Sequence, residues 1–303
     1  MKIKEKILNY IKNPLLIIPF LGYRGFFHWM KDEIYLKLVF RCLMGYWPDL
    51  KNPETFNEKL QWMKLHDRNP LYTKLVDKYE VKKIVADIIG EKYIIPTLGV
   101  WDKFDDIDFD KLPEQFVLKC THDSGGLVIC KDKSKFDIPA AKKKIEKCLK
   151  MNYFWCLREW PYKNVPPRII AEKYMEDSSD EELRDYKFYT FNGNPKFLLL
   201  ATNRQSEGGP NFDYFDMEGN HLPLTNHWHP QNTETVPHMP QQYSKMQDLC
   251  KKLANNFPQA RVDFYEVDGN ILFGEMTFFD QGGFLRLHPD SWAREWGDLI
   301  RLQ

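Results

Sequence analysis

Asp263 and Glu275 are the two acids whose types and spacing suit metal chemistry. They lie within Arg261-Val-Asp-Phe-Tyr-Glu-Val-Asp-Gly-Asn-Ile-Leu-Phe-Gly-Glu-Met-Thr277. That stretch reads as two strands rich in Val, Phe, Tyr and Ile, joined through Asp268-Gly269-Asn270, residue types that tolerate the positive φ of a tight turn. If those three residues form the loop, Val267 pairs with Ile271, and counting outward sets Asp263 directly across from Glu275. Side chains so opposed have Cβ atoms roughly 4.5–5.5 Å apart, and like charges there destabilise the sheet unless something positive lies between them. A divalent cation supplies that charge. An all-oxygen donor set suits Mg²⁺ or Mn²⁺, and Mg²⁺ commonly takes one or two carboxylates and fills its shell with phosphate oxygens and water. The competing reading leaves both acids facing solvent.

A phosphate-binding candidate lies upstream. Gln115-Phe-Val-Leu-Lys119 and Leu127-Val-Ile-Cys-Lys131 read as strands around a loop containing Ser124, Gly125 and Gly126. Glycines let backbone N–H groups approach phosphate oxygens, Ser124 adds a donor and Lys119 a point charge. The loop matches neither GxxxxGK[ST] nor GxGxxG, so in isolation an unliganded hairpin turn fits it better. Lys187 and Lys196, on a later hairpin, equally suit a solvated strand edge. His122 beside Asp123 fits a loop or substrate contact better than half of a catalytic triad.

The elements that must carry these residues follow from periodicity. Residues 32–65 read as helical with a break at Pro48 and Pro53, and Thr55 with Glu58 three residues on forms a capping-box pattern for a second helix. Residues 77–90 repeat the signal, with Val81, Ile84, Val85 and Ile88 at helical spacing and Gly90 as the stop. The period then changes to strands, including residues 93–101 and 168–175, with an amphipathic helix between at 138–151. An acidic loop at 176–182 leads into a hairpin of residues 185–191 and 196–201 with its turn at Asn192-Gly193-Asn194-Pro195. Residues 202–240 carry few regular signals, and 241–257 read as a helix with Met246, Leu249 and Leu253 inward. Hairpins interspersed with helices predict an α+β fold, not a doubly wound parallel sheet.

Composition narrows the function. The 43 basic and 43 acidic residues cancel, whereas a generic nucleic-acid binder carries a basic excess, so no nucleic-acid partner is expected. Six cysteines form no CxxC pair and no cleavable signal peptide is evident, which fits free thiols in a reducing cytoplasm. The apolar stretch from Pro14 to Trp29 is interrupted by Pro19, Gly22, Arg24 and Gly25 before it reaches the roughly 20 residues of a membrane span. It fits a packed N-terminal arm or, given Lys2, Lys4, Lys6 and Lys12, a peripheral anchor at the inner face of a membrane.

In combination these parts resemble the ATP-grasp superfamily, and within it the TupA-like ATP-grasp group of bacterial surface-polysaccharide loci. The resemblance rests on Thr55-Phe-Asn-Glu-Lys-Leu-Gln-Trp62, Asp77-Lys-Tyr-Glu-Val81, His122-Asp-Ser-Gly-Gly126, Glu172-Lys-Tyr174, Asp185-Tyr-Lys-Phe188 and the hairpin that carries Asp263 and Glu275. It covers nearly the whole chain from about residue 45 onward. The order of these pieces is fairly specific, although each alone is not.

The resemblance implies an N-terminal arm and helical region over residues 1–75 and two α+β subdomains, 76–168 and 169–303, that clamp a nucleotide. Lys78 and Lys119 would meet phosphates, Ser124, Gly125 and Gly126 would form a phosphate lid, and Glu172, Lys173, Tyr174 and Met175 would line the adenine. Asp185 or Lys187 would reach ribose or phosphate. Asp263 and Glu275 would hold Mg²⁺, with Arg261 stabilising a phosphorylated intermediate and Lys119 and Lys187 assisting catalysis. Thr277 stands where many ATP-grasp ligases have Asn, which puts a second full metal site in doubt.

The implied reaction is an ATP-dependent carboxylate–amine ligation through an acyl phosphate, joining an amine or amino acid to a uronic acid of a small-molecule or glycan acceptor. The segment from Asn203 to His238, with His221, His227, Trp228 and His229, is the candidate for acceptor recognition, or an ordinary long surface loop. The competing readings are a glycosyltransferase using a nucleotide sugar, whose DxD acids stand close together and are not split across a hairpin, and an ATP-grasp kinase acting on a sugar hydroxyl.

Overall fold

A computed structural model describes residues 16–22, 24–178, 183–204, 206, 209–232 and 235–302. Its strands are β1 (Thr97–Trp101), β2 (Phe116–Cys120), β3 (Leu127–Cys130), β4 (Ile169–Lys173), β5 (Asp185–Phe191), β6 (Asn194–Thr202), β7 (Asn211–Phe215), β8 (Thr225–Asn226), β9 (Gln259–Val267), β10 (Asn270–Thr277) and β11 (Leu287–His288). They build an antiparallel four-stranded sheet in the order β1-β4-β2-β3, an antiparallel five-stranded sheet in the order β10-β9-β5-β6-β7, and the short pair β11-β8. The fold is therefore α+β, as the sequence predicts.

Each sheet has its own helix cover. Phe116, Leu118, Ile169 and Ala171 of the smaller sheet share a core with Ala141 and Ile145 of the helix Ile138–Leu149. In the larger sheet Phe188, Val262 and Phe264 share a core with Met246, Leu249 and Leu253 of the helix Tyr243–Ala254. Because side chains alternate along a strand, the face of β5 and β9 opposite that helix carries Asp185, Lys187, Arg261 and Asp263. One face builds the core and the other presents charge.

The opening hairpin reaches its expected pairing by an unexpected route. Val267 pairs with Asn270, so the turn is the two residues Asp268 and Gly269, with φ of 50° and 74°, the pair of positive angles that a tight hairpin turn requires. That tighter turn would by itself have placed Gly274 opposite Asp263. Instead the register shifts between Phe273 and Glu275, a β-bulge at Gly274 that inserts one residue, and Glu275 again faces Asp263. A one-residue slip moves side chains to the other face, so the bulge is what puts both acids on the same one. A Cβ on Gly274 would lie 3.1 Å from the backbone oxygen of Asp263. We expect Gly274→Val to lower the unfolding free energy by roughly 1–3 kcal/mol, read from urea titration.

Other boundaries moved for local reasons. The turn of the second hairpin is Asn192-Gly193 alone, with φ of 47° and 79°, and it takes Asn194 and Pro195 into β6. The segment 202–240, read as irregular, contains β7 and β8. Strand β4 stops at Lys173, leaving Tyr174 and Met175 beyond it. Thr55 caps the helix Phe56–His66 with the full capping box, its hydroxyl accepting from the Glu58 N–H. Residues 1–15 and 179–182 of the predicted N-terminal arm and acidic loop lie outside the described residues.

Candidate active site

The two sheets border one cleft. Its apolar end, about 340 Å³, is lined by Ile95, Val117, Ile129, Tyr174, Met175 and Leu183 together with Lys119, Glu172 and Lys173. Its charged end, about 230 Å³, is lined by Lys78, Lys119, Ser124, Gly126, Asp185, Lys187, Asp263 and Glu275. Lys119, Leu127, Arg204 and Tyr265 border both volumes, so the two ends run together. Of the candidates from the sequence, Gly125, Arg261 and Thr277 are not among the lining residues. Arg261 and Thr277 are each hydrogen-bonded to Glu275.

Arg261 supplies the positive charge that two facing acids need. Its Nε and Nη2 each donate to an Asp263 carboxylate oxygen at 2.8 Å, and Nη2 also donates to Glu275 Oε1 at 2.9 Å and Thr277 Oγ1 at 3.2 Å. Nη1 donates to Asp280 at 2.5 Å. Lys187, opposite Asp263 in the β5–β9 register, donates to Asp263 at 2.6 Å and to Asp185 at 2.5 Å. Asp185 keeps a buried Oδ1 with no hydrogen-bond partner. The pair is therefore partly neutralised within the chain, and neither acid simply faces bulk water.

This arrangement splits the two carboxyls. Burial pushes Asp263 up, to about 6, against the pull of Arg261 and Lys187. Burial acts in the same direction on Glu275, but Arg261, Lys187, Lys78 and Lys119 outweigh it and hold that carboxyl at about 2. Glu275 keeps 45% of its side chain exposed while Asp263 keeps 1%. Hence Glu275 is the permanently charged acid within reach of a ligand.

The glycine loop is closed on itself. The Gly126 N–H donates to the Asp123 carboxylate at 2.9 and 3.1 Å, and the Lys78 ammonium donates to the Asp123 backbone oxygen. A Cβ on Gly126 would meet Cys120 Sγ at 2.4 Å, whereas one on Gly125 meets nothing nearer than 4.0 Å. Close packing requires glycine at 126 only. Ser124 is exposed and donates to the Tyr153 hydroxyl at 3.1 Å. His122 is not a substrate contact here: it is buried, with Nε2 against the carbonyls of Cys148 and Met151 at 3.2 and 3.1 Å, where the helix 138–149 ends.

Glu172 has a second task that its strand position did not announce. Its carboxylate bridges Lys119 at 2.6 Å and Lys82 at 2.5 Å. Burial pushes it up, but Lys119 and Lys82 pull it below the usual glutamate value. Lys82 also donates to the Ile95 carbonyl. Tyr174 lies under the Lys131 ammonium, 5.7 Å from the ring centre.

Several residues that line the cleft or belong to its ion-pair network escaped the sequence reading. Tyr265 was within reach, two residues beyond Asp263 on the same strand face, and Lys82 stands one helical turn after Lys78. Arg204, Ile95, Leu183 and Asp280 carry no local signal. The imidazoles of the 203–238 segment do not line either volume. His221 pairs with buried Asp213 at 3.0 Å and the His229 ring packs 4.2 Å from that of Phe212, while Trp228 is 59% exposed.

Two antiparallel sheets sharing one cleft, with a glycine-loop hairpin on one side and a dicarboxylate hairpin on the other, define the ATP-grasp architecture. The sequence profile described as TupA-like ATPgrasp matches residues 58–301, and the chain belongs to that family. Solved structures resemble it only distantly. D-alanine–D-alanine ligase from Bacillus anthracis, complexed with ATP, is 16% identical over 68% of this chain and 54% of its own, with a TM-score of 0.40. The Helicobacter pylori D-alanine–D-alanine ligase is 11% identical over 82% and 70% with a TM-score of 0.42. The ATP-grasp ligase PsnB with minimal precursor, Mg and ADP is 8% identical over 73% and 57% with a TM-score of 0.39. The chain thus spans little more than half the length of the Bacillus anthracis ligase. No curated protein matches it.

Proposed function

We propose that this protein is an ATP-dependent carboxylate–amine ligase that acts in bacterial surface-polysaccharide synthesis. The observation that carries this reading is the continuity of the cleft, from an apolar slot suited to a purine to an end where four cationic side chains and four carboxylates converge. Family membership supports the same reaction class. Ile95, Val117, Tyr174 and Met175 would hold the base, with Lys78, Lys119 and Lys187 at the phosphates.

Among the described residues no three His, Cys, Asp or Glu side chains gather as a metal cage. That donor set fits Mg²⁺, which keeps waters and substrate oxygens in its shell, and not a metal that demands four protein ligands. Asp263 and Glu275, which line the charged end, would hold it, with the Thr277 hydroxyl bonded to Glu275 and supporting it from outside the lining. Bound there, it would neutralise phosphate charge. The chain's own contribution is electrostatic, since lysines and Arg261 fixed by carboxylates before the reaction need no reorganisation as charge develops. The γ-phosphoryl group passes to the acceptor carboxylate with loss of ADP, and an amine then displaces phosphate to leave an amide.

ADP release measured against uronic acids paired with amino acids tests this. We expect release that needs both a carboxylate and an amine. Release that needs only a sugar hydroxyl would make the protein a kinase, and nucleotide-sugar cleavage without ATP would make it a glycosyltransferase.

Exposed Phe26, Trp29 and Ile34 beside Arg24 and Lys31 support peripheral contact with a cytoplasmic membrane face. Among the described residues no helix is long and apolar enough to cross one. We expect the intact protein to sediment with anionic vesicles and to lose that association on Trp29→Glu.

A further inference from the structure

The motif Thr55-Phe-Asn-Glu-Lys-Leu-Gln-Trp62 lies far from the cleft in sequence and none of its residues lines either volume. Its helix nevertheless buries a polar face. Asn57, Gln61 and Lys64, spaced at i, i+4 and i+7, are 1%, 0% and 1% exposed. Burying amides and an ammonium is costly unless their protons find acceptors. Here most of the acceptors are carbonyls of one turn and the residues just after it. Asn57 donates to Gly283 and Leu285 at 3.0 and 2.8 Å, Gln61 to Gly282 and Gly283 at 3.3 and 3.0 Å, and Lys64 to Gly282 and to Leu157.

That turn is strained. Gln281, Gly282 and Gly283 take φ of 48°, 63° and 75° in succession; the glycines adopt such angles freely, but at Gln281 the left-handed backbone persists only where its surroundings over-determine it, and such residues cluster at functional sites. Its first residue is Asp280. The two Asp280 oxygens accept from Arg261 Nη1 and from the Tyr189 hydroxyl, and Arg261 is the group that bridges Asp263 to Glu275.

We infer that Asn57, Gln61 and Lys64 are positioning residues for the cleft: by holding the 280–283 turn they hold Asp280, and through it they orient the Arg261 guanidinium between the two carboxylates. An apolar helix face would pack the turn without costly buried amides, but it would leave the turn's carbonyls unpaired and its strained backbone free to relax. This inference rests on the ligase reading for what Arg261 does, and it assigns a role to a motif that the cleft itself leaves unused.

A double-mutant cycle between Gln61, which holds the turn through the Gly282 and Gly283 carbonyls, and Tyr189, which donates to Asp280 itself, is the test. Gln61→Ala and the volume-conserving Tyr189→Phe should each lower kcat for ADP release by roughly 10- to 100-fold, the scale of a sub-ångström misplacement of a reacting group, with KM for ATP moving less than about twofold. The double variant should be no worse than the poorer single, because both act through one carboxylate. Asn57→Ala provides the same reading should Gln61→Ala fail to fold, and thermal melts establish which variants are folded. Multiplying losses, or a kcat within twofold of wild type in folded variants, would overturn the relay. The failure of the ligase reading looks different: wild-type protein would then release no ADP from any carboxylate and amine pair.

Discussion

Glu275→Gln should reduce ADP release by at least about 10³-fold, roughly 4 kcal/mol of transition-state stabilisation, while leaving the protein folded. The two halves of that expectation have separate causes. Glu275 is the half-exposed acid held at about 2, so it is the carboxylate that carries full charge at any working pH and can be approached by a cation. Its loss removes one of few oxygen donors where phosphate charge must be offset. The fold depends on it little, because an exposed ion pair contributes at most about 1 kcal/mol. Arg261 also retains both oxygens of Asp263 and its bond to Asp280. A coupled ADP assay beside a thermal melt checks both. Turnover within tenfold of wild type, or a large loss of stability with activity retained, would contradict the assignment of Glu275.

Glu172→Ala should do the reverse and strike the fold first. Its carboxylate is buried between Lys82 and Lys119, and removing one partner from a buried ion-pair set leaves uncompensated charge at a cost of about 3–5 kcal/mol. Nucleotide affinity should fall as well, since Lys119 would lose the anchor that aims it into the cleft. Glu172→Gln keeps the volume and two polar atoms and should cost less. The pH dependence has a definite sign. The folded Glu172 carboxyl titrates below its ordinary 4.5, so its contribution is complete above that value and is lost as the pH falls through the lower folded one. Urea unfolding at pH 7 and pH 4 should show the gap between wild type and Glu172→Ala narrowing in acid. A gap that is independent of pH would mean that the ion pairs do not carry the stability.

The value of these two acids was unequally visible beforehand. Asp263 and Glu275 announced themselves through turn chemistry and strand alternation, both local properties. The count that paired them assumed a three-residue loop. The real loop has two residues, and the bulge at Gly274 compensates, so the pairing was right while the path to it was not. Gly274 was the available clue, a glycine interrupting a strand. Glu172 was expected beside the adenine because of the family resemblance, but its partners Lys82 and Lys119 approach from 90 and 53 residues away, and no local period encodes such meetings. His122 shows how little a neighbouring pair of residue types decides. Beside Asp123 it was expected as a loop or substrate contact, and it proves to be a loop residue that pins a helix end, because a buried imidazole can satisfy carbonyls left over where a helix stops.

By itself, then, the sequence determined what depends on neighbours along the chain: the α+β alternation, the Thr55 capping box, the places though not the lengths of the hairpin turns, and the face of β9 that carries Arg261 and Asp263. Only the tertiary structure decided how charge is arranged. It joined Arg261 to three carboxylates, set Lys187 between Asp185 and Asp263, and brought the 280–283 turn against a helix more than 200 residues earlier. The reason is physical. Backbone propensity and side-chain alternation act over a few residues, whereas desolvation and ion pairing depend on which surfaces meet, and that is settled only when both sheets have closed on the cleft.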